Sequence, residues 1–186
     1  MSHEQQEALK QNVKAPLVYS KVVIRNWQPF IKLGVHEIYS PAAPYSRVKL
    51  DYPVSMGGYQ HPRDPDRPIG LHMVYVPTLP GSGLSPREQS RKGRALLLGT
   101  PFEVHEQMIR EQLQGMLGEA GFDHQRDIQA ITVNRWSHGY SYFLNGLFDD
   151  EDEATKIIET ARQPIGKIVI ANSDADWSPY ANSAID

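Results

Sequence analysis

Residues 134–143, NRWSHGYSYF, hold the densest set of side chains that could take part in chemistry. The His138 imidazole can take up or release a proton near neutral pH, and Tyr140 and Tyr142 could form the aromatic wall of a pocket beside it. The same residue types also fill protein cores. The alternative is therefore that Trp136 and Tyr142 pack inside the fold, with His138 hydrogen-bonded next to them.

A second polar segment lies near the C-terminus. The sequence KIVIA of residues 167–171 predicts a buried strand, and NSDAD of residues 172–176 predicts a tight polar turn. Ser178 followed by Pro179 predicts the start of a helix, because serine caps helix N-termini and proline fits the first helical turn. The segment thus predicts a strand, a turn and a helix N-terminus in succession.

Three other motifs carry weaker signals. Residues 81–86, GSGLSP, resemble a dinucleotide-binding loop at two glycines, but Pro86 replaces the third, so a flexible surface loop is the favoured interpretation. The acidic run at residues 149–153 could hold a cation or attract a polyamine, but such a run more often begins a solvated helix. The seven histidines show no metal-ligand spacing, and His72 alternates with apolar residues as a packed histidine would, so no metal site is predicted.

Composition and charge exclude several classes of partner. The chain has 186 residues, 40% of them hydrophobic, and a formal net charge of −3. These values suit one soluble globular unit with a small appendage and give no electrostatic basis for binding nucleic acid. No apolar run is long enough to span a membrane, and no leader peptide is visible. The absence of cysteine excludes disulfides and thiolate catalysis, while the compartment stays open between cytoplasm and periplasm.

The hydrophobic pattern predicts an α+β fold with a mainly antiparallel or mixed sheet around one long amphipathic helix. That helix is predicted at residues 101–117, where apolar side chains fall largely on one stripe between Thr100 and Gly121. Shorter helices are predicted at residues 2–11 and 149–162. Strands are predicted at residues 16–27, 36–40, 46–54, 69–76, 127–136 and 167–171, with an exposed loop over residues 77–86.

Several segments, in order along the chain, resemble one protein family. ITVNRWSHGYSY (131–142) and RQPIGKIVIANSDADWSPYANSAID (162–186) are similar to the C-terminal part of the flavin-dependent amine oxidase superfamily. The nearest resemblance is to the bacterial spermidine-dehydrogenase-like FAD oxidoreductases. APLVYSKVVIRNWQPFIKLGV, LDYPVSMGGYQ and GRALLLGTPFEVHEQMIREQLQGMLGEAGFD are similar to the substrate domain of the same branch, so the resemblance covers nearly the whole chain.

The resemblance implies two parts of a larger flavoprotein. Residues 1–160 would form an α+β substrate-binding domain, and residues 161–186 the last strand and the following helix start of a Rossmann-type FAD-binding domain. In this family the turn after that strand faces the flavin, and the helix presents free N–H groups and a positive dipole end to the reduced ring. The implied cofactor-binding residues are Asn172, Asp174, Tyr180 and Ala181.

Individual positions of this turn follow the family pattern to different degrees. Asp174 would accept hydrogen bonds from the ribityl hydroxyls of FAD, and Tyr180 and Ala181 fall where the family's backbone approaches the isoalloxazine ring. Asn172 and Ser173 depart from the glycine and the acid that are usual there.

The resemblance also implies the chemistry. The parent protein would oxidise an amine, or a related small substrate such as a polyamine, by hydride transfer to FAD. The implied catalytic residues are His138, Tyr140 and Tyr142. The aromatic rings would flank the amine and favour its approach as a cation, and His138 would take or relay its proton.

The glycine-rich βαβ unit that holds the ADP half of FAD in this family is not found in these residues. We therefore expect this chain to be a C-terminal part that does not retain FAD or activity alone, and that needs a domain or partner chain carrying the missing unit. The final strand and its approach, residues 165–170, would then expose apolar surface with an unpaired edge and favour self-association. The alternative is a non-enzymatic α+β binding or accessory module that inherited this architecture.

Overall fold

The computed structural model describes residues 1–185, which form six α-helices and five strands. The helices are α1 (His3–Lys10), α2 (Gln28–Leu33), α3 (Pro86–Gly99), α4 (Phe102–Leu117), α5 (His124–Asp127) and α6 (Glu151–Arg162). The strands are β1 (Lys14–Ile24), β2 (Glu37–Tyr39), β3 (Arg47–Leu50), β4 (Ile69–Tyr75) and β5 (Ile128–Ser141). Short 3₁₀ helices lie at Gly118–Ala120 and Asn182–Ala184.

The chain divides into two compact units, which are described separately. The helical unit comprises Met1–Pro16, Pro77–Leu97 and the chain from Trp136 onward. The sheet unit comprises Leu17–Val76 and Leu98–Arg135. The strands β1 and β5 each contribute residues to both units.

The sheet has the strand order β2-β3-β4-β1-β5, and its strands pair antiparallel. Alternation along the strands gives it one apolar face, which confirms the predicted α+β class with an antiparallel sheet. Three α4 residues spaced along one stripe, Ile109, Leu113 and Leu117, are fully buried, as the helical pattern at residues 101–117 predicts. The buried strand residues of this core are Val18, Val22, Ile24, Val48, Leu71 and Met73.

In the helical unit, α1 packs against α6. The Ser2 hydroxyl accepts a hydrogen bond from the Gln5 N–H and caps α1, and the buried Gln5 side chain donates to the carbonyls of Ala161 and Gln163 at 3.2 and 2.6 Å. Asp150 caps α6 by accepting from the Glu153 N–H at 2.9 Å. These contacts confirm the predicted helices at residues 2–11 and 149–162, and they show that the acidic run begins a helix.

The strand predicted at residues 167–171 is wrong for this structure. The segment contains only an isolated bridge between Ile165 and Ile168, and no strand of residues 1–185 pairs with it. A strand needs neighbours that satisfy its backbone groups, so an apolar β-branched run without them makes a turn instead. Ile168 and Val169 are 66% and 71% exposed. The predicted apolar exposure is therefore confirmed, but the unpaired strand edge is not formed.

Two other expectations need correction. The described residues contain two long helices instead of the one predicted: α3 has 14 residues and α4 has 16. The polar, glycine-containing start of α3 hides its helical periodicity. The helix predicted from Ser178 is reduced to the 3₁₀ turn Asn182–Ala184, since this short segment has no packed apolar stripe to support a longer helix. No helix among the described residues is both long and apolar enough to cross a membrane.

Candidate functional site

The strand β5 places His138 and Tyr140 on one exposed face. Side chains alternate along a strand, so these two residues share that face with Trp136, and all three side chains are exposed. The His138 Nδ1 lies 3.1 Å from the Ser137 hydroxyl. Because β5 is the last strand in the sheet order, this row of an imidazole and two aromatic rings lies on an edge strand, where a ligand or partner could reach it.

Tyr142 lies in different surroundings from the other two predicted pocket residues. It is buried, and its hydroxyl donates a hydrogen bond to the Asp149 carboxylate at 2.8 Å. Burial, followed by the contact with Asp149, raises the pKa of Tyr142 to about 12. The Tyr142 phenol therefore stays protonated at physiological pH. A packing role suits Tyr142 better than a role as acid or base.

Arg87 connects Tyr142 to the C-terminal turn within the helical unit. Its guanidinium carbon lies 4.1 Å from the Trp177 ring centroid and 4.9 Å from the Tyr142 ring centroid. It also pairs with Asp149 at 3.3 Å and donates to the Gln11 carbonyl at 2.9 Å. We call Arg87, Tyr142, Asp149 and Trp177 the arginine cluster.

The partly buried Asp149 carboxylate of the arginine cluster is held in its charged form. Burial alone would raise the pKa of Asp149, but the Asn145 N–H, the Tyr142 hydroxyl and the Arg87 guanidinium outweigh it and lower this pKa below its usual value.

The backbone of Trp177 has a φ of 50°, a left-handed conformation that is unusual for a bulky residue. The contacts of the cluster thus fix the backbone at residue 177 in a conformation that the residue would not prefer alone.

A pocket of about 210 Å³ lies beside the arginine cluster. It combines carboxylates from the start of α6 with aromatic and apolar side chains, a combination that suits a small polar or cationic group. Asp150 already caps α6, however, and Asp149 is paired with Arg87. The lining residues are Gln11, Arg87, Leu144, Phe148, Asp149, Asp150, Glu153, Ala154, Ile157 and Trp177.

The predicted cofactor-binding residues lie in and after a turn at residues 172–177. The Asn172 side chain accepts a hydrogen bond from the Ala175 N–H at 2.8 Å and stabilises this turn. The Asp174 carboxylate pairs with Lys14 at 2.5 Å. Tyr180 and Ala181 are both exposed. The polar turn is therefore present as predicted, and its carboxylate has a lysine partner within the chain.

A group of polar residues on the sheet unit was not predicted from the sequence. The strand register places Lys21, His72, Lys49 and Glu37 opposite one another across β1, β4, β3 and β2. This row lies on the side of the sheet opposite the apolar core. We call it, with its charged and aromatic neighbours, the polar sheet face; its members are Tyr19, Lys21, Glu37, Arg47, Lys49, Asp51, Tyr52 and His72.

Ion pairs and ring contacts join the residues of the polar sheet face. Lys21 lies 2.8 Å from each oxygen of the Asp51 carboxylate. Arg47 pairs with Glu37. The alternation of charged and apolar residues in RVKLD and GLHMVY is the sequence signal for this face, but only the register between strands shows which charges are neighbours.

Aromatic rings cover the middle of the same face. The Lys49 ammonium lies 3.3 Å from the Tyr52 ring centroid, and the rings of Tyr19 and His72 are 5.1 Å apart. A hydrogen bond with Lys49 lowers the pKa of the Tyr52 hydroxyl. Burial, followed by the charge of Lys21, lowers the pKa of His72. His72 is therefore neutral at pH 7, and the charges of the face are those of its lysines, arginine and carboxylates.

The core of the sheet unit contains a second histidine in an unusual position. His105 on α4 is 0% exposed, and neither ring nitrogen has a hydrogen-bond partner among residues 1–185. Its ring lies 6.2 Å from that of Tyr75, which is 5.7 Å from Tyr45, whose hydroxyl is 2.9 Å from that of Ser20. Burial, followed by the charge of Arg135, lowers the pKa of His105.

We predict that this buried imidazole makes the protein less stable in acid. The folded state has a lowered His105 pKa, so the unfolded state takes up the proton first as the pH falls below the ordinary histidine value of about 6.5. The free energy of unfolding should then decrease by up to about 1.4 kcal/mol per pH unit for this one proton. Urea unfolding at pH 7.5 and pH 5.5 measures the effect.

His105→Leu should reduce this pH dependence, and His3→Leu is the matched control because the His3 side chain is 86% exposed. His72 contributes in the same direction, so some dependence should persist in the His105 variant. An equal pH dependence in the wild type and in His105→Leu would contradict the prediction.

Comparison with known proteins finds a similar fold among solved structures, but no match to a protein family or to a curated protein. No protein-family model matches the chain, and no curated protein matches it. Among solved structures, it is similar to a double mutant of putrescine oxidase made in a redesign of cofactor binding, with 13% sequence identity and a TM-score of 0.52. The match covers 94% of this chain and 33% of that protein's chain. At this identity the likeness shows the fold alone: the chain shares its fold with about a third of the length of putrescine oxidase.

Proposed function

We propose that this chain is part of an FAD-dependent oxidoreductase that oxidises an amine by hydride transfer to the flavin. The observation that carries the proposal is the fold likeness to putrescine oxidase over 94% of the chain. The ordered segments that resemble the spermidine-dehydrogenase-like branch support the same assignment and favour that branch within the superfamily.

Residues 161–186 are proposed to form the flavin-facing side and residues 1–160 the substrate side. Asp174 fits a cofactor role because its side chain is 38% exposed even though it pairs with Lys14. Asn172 would hold the turn, and the exposed Tyr180 and Ala181 would line its approach. FAD, when bound, supplies the hydride acceptor. The ADP half of FAD is proposed to be held by a domain or partner chain outside these residues.

The exposed row on β5 is proposed to receive the substrate. Tyr140 and Trp136 offer ring faces to a cationic amine, and His138 takes its proton. The Ser137 hydroxyl, 3.1 Å from His138 Nδ1, would hold the imidazole ring in a fixed orientation. Tyr142 is proposed to support this pocket from the buried side, through its hydrogen bond to Asp149.

The experiment separates cofactor binding from catalysis in the FAD-bearing holoenzyme. Asp174→Ala should weaken FAD retention roughly ten- to a hundredfold, since it removes a charge-assisted hydrogen bond worth about 1.5–3 kcal/mol. His138→Ala should slow anaerobic flavin reduction by the amine while the protein stays yellow. The measurements are the FAD content after dialysis and the rate of flavin bleaching.

Asp176→Ala is the matched control for the cofactor arm, because Asp176 lies in the same turn and pairs with Arg162 instead. It should keep its FAD. If Asp174→Ala keeps FAD and His138→Ala loses it, the two segments are assigned to the wrong ligands. If the full protein that contains this chain purifies without flavin, the non-enzymatic α+β module is favoured instead.

A further inference from the structure

The polar sheet face carries one more positive charge than its carboxylates can neutralise. Lys21 is paired with Asp51 and Arg47 with Glu37. Each ion pair is neutral in sum, so the third cation, Lys49, leaves the face with a net charge of about +1 while His72 is neutral.

Lys49 is an unusual residue to hold this charge. It is only 7% exposed, whereas lysines are almost never buried without a charged partner. Its ammonium lies 3.3 Å from the Tyr52 ring centroid, and none of the ion pairs of residues 1–185 includes it. A ring face compensates an ammonium less well than a carboxylate does, so an anion that reached Lys49 would gain a strong partner.

His72 is the neighbour through which such an anion would be shared. It lies directly opposite Lys49 on one side and Lys21 on the other, so the side chains of each pair meet on the same face. Its Nδ1 is buried and has no hydrogen-bond partner among the described residues. Tyr19 packs against its ring at 5.1 Å and holds it in place.

We propose that the polar sheet face binds the carboxylate of a small ligand between Lys49 and His72. The excess of a single positive charge suits a monoanion better than a phosphate dianion. This inference goes beyond the proposed function and concerns the sheet unit by itself: the polar sheet face is a site for a small carboxylate, whatever the amine substrate is.

Four ligands with the same carbon chain test the charge preference in the full chain without FAD. They are butyrate, 4-aminobutyrate, butylamine and 1,4-diaminobutane, each added at low salt and pH 7 while backbone amide NMR signals are followed. The two carboxylates should shift the signals of Lys49 and His72 and reach saturation, and added salt should weaken them. The diamine and butylamine should not.

Lys49→Met should weaken butyrate binding about tenfold or more, since it removes a charge-assisted hydrogen bond. Lys10→Met is the matched control, because Lys10 is an exposed lysine of the helical unit that pairs with Glu7. It should leave binding unchanged. Saturable shifts at this face with the diamine instead, no saturation with either carboxylate, or equal butyrate affinity in Lys49→Met would each overturn the proposal.

A measurement on the wild type keeps the test decisive if Lys49→Met does not fold. A bound carboxylate beside His72 favours the protonated imidazole, so saturating butyrate should raise the His72 pKa. An unchanged His72 pKa would overturn the proposal. Since these measurements need no flavin, they can fail while amine oxidation by the holoenzyme succeeds, and the reverse outcome is equally visible.

Discussion

Replacing Arg87 with methionine is expected to lower the free energy of unfolding by about 1–3 kcal/mol, because it removes a charge-assisted hydrogen bond and two ring contacts from a partly buried ion pair. The partly buried Asp149 carboxylate would lose its 3.3 Å partner, and the rings of Tyr142 and Trp177 would lose the guanidinium between them. Urea unfolding followed by tryptophan fluorescence measures the change, because Trp177 itself belongs to the cluster.

Two further substitutions test whether the loss of stability comes from the charge of Arg87. Arg91 lies one helical turn from Arg87 on α3, and its exposed side chain donates to the Lys10 carbonyl at 3.3 Å. The effect of Arg91→Met should therefore stay within about 0.5 kcal/mol. Asp149→Asn should cost less in the Arg87→Met background than in the wild type, because the unpaired charge is already the main penalty. Equal costs in both backgrounds would contradict this account.

Loss of the arginine cluster should also be visible in function. Trp177 ends the turn at residues 172–177 with its left-handed backbone, and the turn contains Asn172 and Asp174, two of the four proposed cofactor-binding residues. Arg87→Met removes the contact that holds Trp177 there. We therefore expect the holoenzyme variant to retain less FAD than the wild type, in addition to its lower stability.

The second large effect is expected at Gly93, in the middle of α3. Alanine normally stabilises a helix relative to glycine, but a Cβ at position 93 would lie 2.2 Å from the Pro77 carbonyl oxygen and 3.1 Å from Cγ of Pro16. Because the nearest atom is backbone, the helix or the loop must move. Gly93→Ala should destabilise the protein by about 1–3 kcal/mol or more, the range for overpacked sites.

Gly115→Ala on α4 is the matched substitution with the opposite expected sign. Nothing lies within 4 Å of a Cβ built at position 115, so the helix propensity of alanine should stabilise the protein by about 0.5–1 kcal/mol. Thermal and urea unfolding of both variants measure the pair. A stable Gly93→Ala protein would show that the backbone of α3 is not held against Pro77.

Local patterns were enough to predict most of the regular elements. The apolar stripe that ends at Leu117 identifies α4, and the acidic run at residues 149–153 indicates the start of α6. The alternating strands β1, β3 and β4 are found within a few residues of their predicted bounds. In each case the signal lies within one element, in its hydrophobic period or its capping residue.

The candidate site was less predictable, because its residues are joined by contacts far apart in the sequence. His138, Tyr140 and Tyr142 look equivalent in the motif NRWSHGYSYF. Contacts with Arg87, which is distant in the sequence, and with the nearer Asp149 separate them, since these draw Tyr142 into the arginine cluster while His138 and Tyr140 stay exposed. A tertiary contact thus decides which member of a local motif can meet a ligand.

The sequence by itself determined the class of this fold, its antiparallel strands and its polar C-terminal turn, because hydrophobic period, caps and turn residues act over a few positions. The tertiary structure alone decided two other features. The run at residues 167–171 is no strand because no neighbour satisfies its backbone here. Lys49 and His72 became neighbours because the register of separate strands, set by burial of the opposite face, aligns them.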